Sequence, residues 1–369
     1  MIFCANPSAQ FYSYQKEIED ATLKVFHGTQ YILGPQVSAL EEEFSNYIGT
    51  NFAIGVANGT DALEIAIKSL EIGPGDEIIT VSHTAVATVA AIEASGAIPV
   101  LVDVDPIFFT LDFSQLEEVL TSKTKAIIAV HLYGQSANLD AINEFCIKHN
   151  LYLIEDASQA HGAKWNEKKV GSIGHIGCFS CYPTKNLGAI GDAGLITTND
   201  INLNRKIRML REYGWKDRYI SYCSGRNSRL DEVQAAILRV KLRYLDQDNK
   251  KRQNIACKYN ALLNEVNIKL PLLQKNVDAV FHLYVAKVEL RDELVKFLKE
   301  NDIQAGIHYP VPIHLQPAYK NKIRTSSSLL ITETLAKEVI SLPIYPELED
   351  RQVFQVAETI KEFIKAYER

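Results

Sequence analysis

The sequence predicts an α/β protein: a mostly parallel central sheet covered by helices, followed by a smaller C-terminal α+β domain. Two observations carry this. Short apolar runs at 78–81, 98–102, 126–130 and 151–154 alternate with helix-like stretches such as 139–149, where Leu139, Ile142, Cys146 and His149 share one side. Such alternation marks a parallel sheet, because parallel neighbours need a crossover connection between them. From about residue 250 the pattern changes to alternating strands, such as 282–290, and amphipathic helices. The last helix places Val353, Val356, Ile360, Phe363 and Tyr367 three and four apart, as one buried face requires. The expected division is a large domain over residues 1–248, including the N-terminal segment, and a small domain over 249–369.

In chain order, residues 28–35 form a Gly-flanked apolar loop ending in Gly-Pro, before a helix over 38–47. Asn58-Gly59-Thr60-Asp61 precedes a helix whose apolar positions are Ala62, Leu63, Ala66, Ile67 and Leu70. Thr60 or Asp61 is the expected N-cap. The free N–H groups of such a helix start suit a phosphate, although a capped helix needs no anion. Ser82-His83-Thr84 is expected to open the next helix. Residues 203–213 read as a helix ending at Gly214. Leu230, Val233, Ile237, Val240 and Tyr244 mark another, with the charged run 246–252 as its solvated continuation.

At 369 residues the chain exceeds what a single core usually serves. Its 47% hydrophobic and 23% charged residues are ordinary for a globular protein, and the net charge of −6 is interspersed. No basic run or stripe points to nucleic acid. The longest apolar stretches, such as 84–92, fall short of a membrane span. The opening residues lack a basic region followed by a long apolar core, so no signal peptide is read and a cytoplasmic location is expected. Six cysteines are scattered, and the pair Cys178 and Cys181 has no second ligand pair of the kind a structural zinc site needs. Buried reduced thiols and no metal are expected.

Two stretches carry chemistry. In Gly177-Cys-Phe-Ser-Cys-Tyr-Pro-Thr-Lys185-Asn-Leu-Gly-Ala-Ile-Gly-Asp-Ala-Gly194, an apolar strand over 178–182 is broken by Pro183. Lys185 then stands in a loop rich in glycine, where the backbone can turn sharply and approach a ligand. A lysine beside buried apolar surface can lose its proton and act as a nucleophile or Schiff-base partner; otherwise it is a solvated surface side chain. Residues 151–156, Leu-Tyr-Leu-Ile-Glu-Asp, end a strand in two carboxylates and lead into Ala-Ser-Gln159-Ala-His161-Gly. An acid at the carboxyl end of a parallel strand lies where open α/β sheets bind ligands; the other reading of Asp156 is a helix cap. A pyridoxal phosphate site needs a lysine for the aldehyde and a carboxylate that keeps the pyridine nitrogen protonated. Asp156 and Lys185 are the expected pair, with the phosphate on Gly59 and Thr60. His161 either bonds Asp156 or is a satisfied core residue.

The order GTDAL, EDASQAHGA, GCFSCYPTKNLGAIGDAGLIT and GRNSRLDEVQAAIL, within a span from about residue 31 to about 345, resembles the DegT family of pyridoxal-phosphate-dependent sugar aminotransferases. The resemblance implies a type I PLP-dependent transferase fold. It implies that Lys185 bonds the cofactor and moves the proton, and that Asp156 pairs with the pyridinium. By the same match Gln159 contacts the phenolic oxygen and Ser180 the phosphate. Asn227 reaches the phosphate from the other subunit of a homodimer with shared active sites; the alternative is that Asn227 or Ser228 caps the following helix. One departure is Ala85, where an aromatic covering the ring is expected. His83 stands two residues earlier, and the stacking residue stays unassigned.

The pieces HLYG at 131–134, NSRLDE at 227–232 and GIHYPVPIH at 306–314 resemble the branch acting at C-3 of dTDP-linked 3-keto-6-deoxyhexoses. This implies Tyr182, His308 and Tyr309 as contacts to hexose or diphosphate, and an amino-acid donor such as L-glutamate. It also implies a product destined for lipopolysaccharide O-antigen, surface-layer glycan or antibiotic sugars. The alternatives are the same chemistry at C-4 or on a UDP-linked N-acetylated ketosugar, and a non-catalytic binding or regulatory protein. A dehydratase relative would carry histidine in place of Lys185. No GxGxxG opens a strand–helix unit, which disfavours a plain dinucleotide binder.

Overall fold

The apolar runs become one eight-stranded sheet in the computed structural model, which describes residues 1–367. Its strands are β1 (Phe52–Val56), β2 (Glu77–Val81), β3 (Ile98–Val102), β4 (Thr124–Val130), β5 (Tyr152–Asp156), β6 (Ile176–Ser180), β7 (Gly194–Thr198) and β8 (Arg324–Thr325), in the order β1-β7-β6-β5-β4-β2-β3-β8. Only β7 runs antiparallel to its neighbours β1 and β6; the other pairs are parallel. Strand β2 is buried at every position and β5 at four of five. Helices on both faces impose this, and it explains why the strands read as continuous apolar runs.

The parallel strands share a direction, so β2, β4, β5 and β6 deliver Ser82–Thr84, His131, Asp156 and Ser180 to one edge of the sheet. The helix Gly59–Ser69 is buried on nearly every side and crosses behind that edge. Its cap is Asn58, whose extended backbone and Oδ1, accepting from Asp61 N–H at 2.8 Å, place the cap before the expected Thr60 or Asp61. The next helix begins at Val86 and not at Ser82. Ser82 is bonded to His314 and His83 to Tyr133, which holds this segment out of helical geometry.

Apolar side chains gather into two principal cores. The larger surrounds the sheet. The second holds Ile255, Tyr259, Tyr284, Ile340, Leu342, Val356, Ile360 and Phe363, with an antiparallel pair Tyr284–Lys287 and Val339–Leu342 at its centre. Ile2 belongs to this second core and donates its N–H to the Asp302 carbonyl. The expected boundary near residue 249 falls inside one helix, Leu245–Leu263, whose Leu245 packs in the first core and Ile255 in the second. That helix corrects part of the reading of 246–252 as a solvated run: Asp246, Gln247 and Lys250 are exposed, but Asp248, Asn249 and Arg252 are buried. Arg252 donates to the carbonyls of Phe281, His282 and Ile344, and Asp248 accepts from Gln10 and Tyr14. In the last helix, Asp350–Tyr367, the expected face is buried except Tyr367, which is exposed at the end.

Among the described residues no helix is long and apolar enough to cross a membrane, and no group of three or more His, Cys, Asp or Glu is placed to hold a metal ion. All six cysteines are free, with Cys178 and Cys181 buried.

Candidate active site

A cleft of about 530 Å3 opens at the carboxyl edge of the sheet, lined by Gly59, Thr60, Ala85, Asp156, Gln159, Ser180, Tyr182 and Lys185 among others. Seven of the expected site residues, all of these but Ala85, therefore meet in one place. Asp156 ends β5 and is buried; its Oδ2 accepts from Thr88 Oγ1 at 2.9 Å and its Oδ1 from Ser158 N–H at 3.2 Å. Both oxygens are thus fixed by neutral donors.

Lys185 is half-buried in the loop after β6. The loop is folded tightly on itself: Lys185 N–H donates to Tyr182 O and Ala189 N–H to Cys181 O, each at 2.8 Å. Gly188 is required there, because a Cβ would sit 2.4 Å from the Pro183 carbonyl oxygen. Burial pushes the Lys185 amine down to about 8, partly opposed by Asp156 and Cys181. An amine held there is neutral often enough near neutral pH to attack a carbonyl.

The third wall is the start of the helix Gly59–Ser69. Asn58 engages the Asp61 and Ala62 N–H groups, while those of Gly59 and Thr60 have no partner among the described residues. They lie at the positive end of the helix dipole. Ser180 abuts this helix start so closely that a Cβ on Gly59 would meet Ser180 Cβ at 2.5 Å. Phe179, its neighbour on β6, points instead into the core, as strand alternation requires.

Gln159 Oε1 accepts from Tyr133 N–H at 2.8 Å, and its Nε2 donates to Tyr309 OH at 3.0 Å. Tyr309 is thereby tied to the cleft although it does not line it, and burial pushes its phenol up to about 12. His308 stands behind the cleft, with Nδ1 2.8 Å from Ser341 Oγ. Burial, then the charge of Lys185, pushes its ring down to about 4. Tyr182 is exposed on the rim. Asn227 is exposed and outside the cleft, forming a backbone bridge with Glu212. Neither Asn227 nor Ser228 caps the following helix, Glu232–Leu242, whose cap is Asp231; Ser228 Oγ instead accepts from Ala57 N–H.

His161 fits neither expectation. Among the described residues its Nδ1 has no hydrogen-bond partner, and its Nε2 lies 4.0 Å from Cys181 Sγ rather than against Asp156. Ala85 faces the cleft, whereas His83 does not line it. Tyr133 OH donates to the His308 carbonyl, so His83 Nε2 carries the proton it shares with that hydroxyl at 2.7 Å. His83 is thus occupied in a buried hydrogen bond.

Sequence reasoning missed Glu155. It is fully buried and accepts from Gly171, Ile173 and Gly174 N–H at 2.7, 2.8 and 2.6 Å, and from His131 Nε2 at 3.0 Å. His131 Nδ1 accepts from Ala137 N–H, so Nε2 carries the donated proton. Burial raises the Glu155 carboxyl, but His131 and the backbone donors outweigh it and hold the group below the usual range. Its stabilisation is therefore fully present above the ordinary value of 4.5 and fades as pH falls through the lower native one. Replacing Glu155 by alanine orphans the donors and is expected to cost about 3–5 kcal/mol, read by denaturant unfolding.

An acid on the cleft floor, a depressed lysine facing it and an anion-ready helix start match a flat ring bearing a basic nitrogen, an aldehyde and a phosphate. The sequence pattern of the DegT/DnrJ/EryC1/StrS aminotransferase family matches residues 13–361. The chain belongs to this family. Its members are PLP-dependent, and the residues of the cleft suit that cofactor. Among DegT-family relatives, the chain is 46% identical to dTDP-3-amino-3,6-dideoxy-alpha-D-galactopyranose transaminase of Aneurinibacillus thermoaerophilus, over 95% of this chain and 96% of that one. It is 44% identical to a protein of Geobacillus stearothermophilus named pleiotropic regulatory protein, over 98% of both. It is 41% identical to UDP-N-acetyl-3-dehydro-alpha-D-glucosamine 3-aminotransferase of Acidithiobacillus ferrooxidans, over 96% and 95%. The X-ray crystal structure of S. venezuelae DesV in complex with a ketimine intermediate superposes with a TM-score of 0.96 at 40% identity, covering 99% of this chain and 98% of that one.

The depressed Lys185 makes a pH prediction. Uptake of PLP by the cofactor-free protein, followed as growth of a visible absorption band, is expected to accelerate about tenfold per pH unit below 8 and to level off above it. A rate still climbing at pH 10 would mean that the amine is fully solvated.

Proposed function

We propose that this chain is an aminotransferase that takes an amino group from an amino acid, L-glutamate, and delivers it to the C-3 keto group of a dTDP-linked 3-keto-6-deoxyhexose. The reading rests above all on Lys185 and Asp156 facing one cleft beside the free helix start at Gly59. The sugar is supported by the 46% identity to a transaminase of a dTDP-3-amino-3,6-dideoxyhexose. We further propose a homodimer in which Asn227 completes the partner's site, a cytoplasmic location, and a product used for a surface glycan such as O-antigen.

When bound, PLP supplies an aldehyde that exchanges amines and a ring that accepts electrons from the carbon losing its proton. Gly59 and Thr60 N–H, with Ser180 Oγ, would hold its phosphate. Asp156 keeps its ring nitrogen protonated, and Thr88 and Ser158 keep Asp156 in place. Gln159, anchored through Tyr133, orients the phenolic oxygen. Lys185 Nζ would bond the cofactor's aldehyde carbon, and the same amine is placed to take a proton from the substrate and return it. Tyr182, on the rim, would contact the sugar nucleotide, while Tyr309 and His308, which do not line the cleft, would support it from behind through Gln159 and Ser341. Donor and acceptor use one site in turn, which predicts ping-pong kinetics.

The test is to incubate the PLP-loaded protein with L-glutamate and a dTDP-3-keto-6-deoxyhexose and to locate the new amine by NMR. An amine at C-3 is expected; an amine at C-4 would overturn the regiochemistry. The Acidithiobacillus relative supports a second reading, a UDP-linked N-acetylated ketosugar. Turnover of that substrate alone would favour it. The regulatory name of the Geobacillus relative favours a third, a binding protein, which failure to accept nitrogen from any amino acid would support.

A further inference from the structure

The polar stretch that the sequence presents as solvent-facing holds a residue placed to join the two catalytic segments. Asn249, in the helix Leu245–Leu263, is buried. Its Nδ2 donates to the His161 carbonyl at 2.9 Å, and its Oδ1 accepts from Asn186 Nδ2 at 2.8 Å. His161 closes the segment that begins at Asp156 and contains Gln159, while Asn186 follows Lys185 directly. One amide thus spans the strand-end segment of the carboxylate and the loop of the lysine.

Asn186 is equally committed. Its second Nδ2 hydrogen goes to the Val280 carbonyl at 3.1 Å, and its Oδ1 faces His282 Nδ1 at 3.2 Å. Both amide hydrogens and the oxygen are used, so the side chain has one orientation. The approach is close on the other side as well, since a Cβ on Gly162 would lie 2.9 Å from Asn249 Nδ2.

We propose that Asn249 and Asn186 form a positioning pair that fixes the Lys185 loop against the Asp156–His161 segment. The proposal rests on the reading of Lys185 as the cofactor-bonding residue. A buried asparagine pair is costly unless every group is satisfied, and here the satisfaction depends on both segments being in place. Without the pair the loop loosens and Lys185 gains solvent. The groups that act on its amine are Asp156 and Cys181, and its own charge is felt by His161, His282 and His308. All but Asp156 and His161 lie outside the strand-end segment, so a loosened loop changes the surroundings of the amine as a set.

The test measures the rate of PLP capture by the cofactor-free protein as a function of pH, for wild type, Asn186→Ala, Asn249→Ala and the double variant, with thermal unfolding of each. Lys185→Ala serves as the blank and Gln253→Ala, on the same helix and bonded elsewhere, as the control. Each single variant is expected to move the midpoint of capture upward by about one pH unit, a rate loss of about tenfold at pH 7. The double variant is expected to move it no further than the larger single change, because either substitution breaks the same link. Folded variants with the wild-type midpoint, or single shifts that add in full, would overturn the pair. Where Asn249→Ala does not fold, Asn249→Ser and Asn186→Ser take its place with the same criteria. Wild type that captures no PLP, or captures it as Lys185→Ala does, would instead overturn the reading of Lys185.

Discussion

Replacing Lys185 by alanine is expected to lower amino transfer by at least about 10^4-fold, because the proposed reading gives this one residue two roles, cofactor anchor and proton carrier. The loss falls on activity and not on folding. The amine is held in an environment that already disfavours its charge, so its removal relieves desolvation rather than creating it. The loop keeps its own backbone bonds, from Lys185 N–H to Tyr182 and from Ala189 to Cys181. The variant is therefore expected to unfold within a few degrees of wild type while failing to move nitrogen from L-glutamate. A variant that retained a tenth of wild-type transfer would exclude Lys185 from the reaction.

Asp156→Asn is expected to reduce transfer by about 10^2–10^3-fold, in the range of removing one fixed electrostatic contact to the reacting system. The side chain keeps its shape. Its Oδ1 still accepts from Ser158 N–H, and the Thr88 hydroxyl, which donates to the carboxylate, can turn to accept from the new amide. What disappears is the negative charge proposed to keep a ring nitrogen protonated. Cofactor capture is expected to persist, because Lys185 is intact; the slowed step is loss of the substrate proton, read as a larger isotope effect with α-deuterated glutamate. An unchanged rate would assign Asp156 to a structural role.

The parts of this site that were legible share a physical reason. Strands β2 to β5 are buried by helices on both faces, so each left an uninterrupted apolar run in the sequence. Asp156 stands where one of those runs ends and Lys185 in the loop after β6, and their chemistry is unusual enough to be noticed there. The helix cap was harder, because Asn58, Thr60 and Asp61 are all cap-forming residues within four positions. Only backbone geometry decides for Asn58. Glu155 was passed over beside Asp156, since its partners Gly171, Ile173 and Gly174 are backbone groups with no side-chain signature.

The buried run Asp248, Asn249 and Arg252 was misread for the same reason on a larger scale. Polar residues three and four apart look like a solvated face until their partners are known. Those partners, Gln10, His161, Asn186 and the carbonyls near residue 281, lie far away in the chain. His83 and Ala85 show the converse. The aromatic expected at 85 is absent, and the nearby ring is engaged with Tyr133 rather than facing the cleft.

One lysine in this cleft is proposed to hold PLP, and an amino acid to leave its nitrogen there. The most direct measurement is the absorption spectrum of the PLP-loaded protein before and after L-glutamate, followed by a dTDP-3-keto-6-deoxyhexose. The account predicts a visible band that glutamate bleaches and the ketosugar restores, and that Lys185→Ala alone does not form. A protein that stays colourless with PLP, or a band that no amino acid alters, would contradict it.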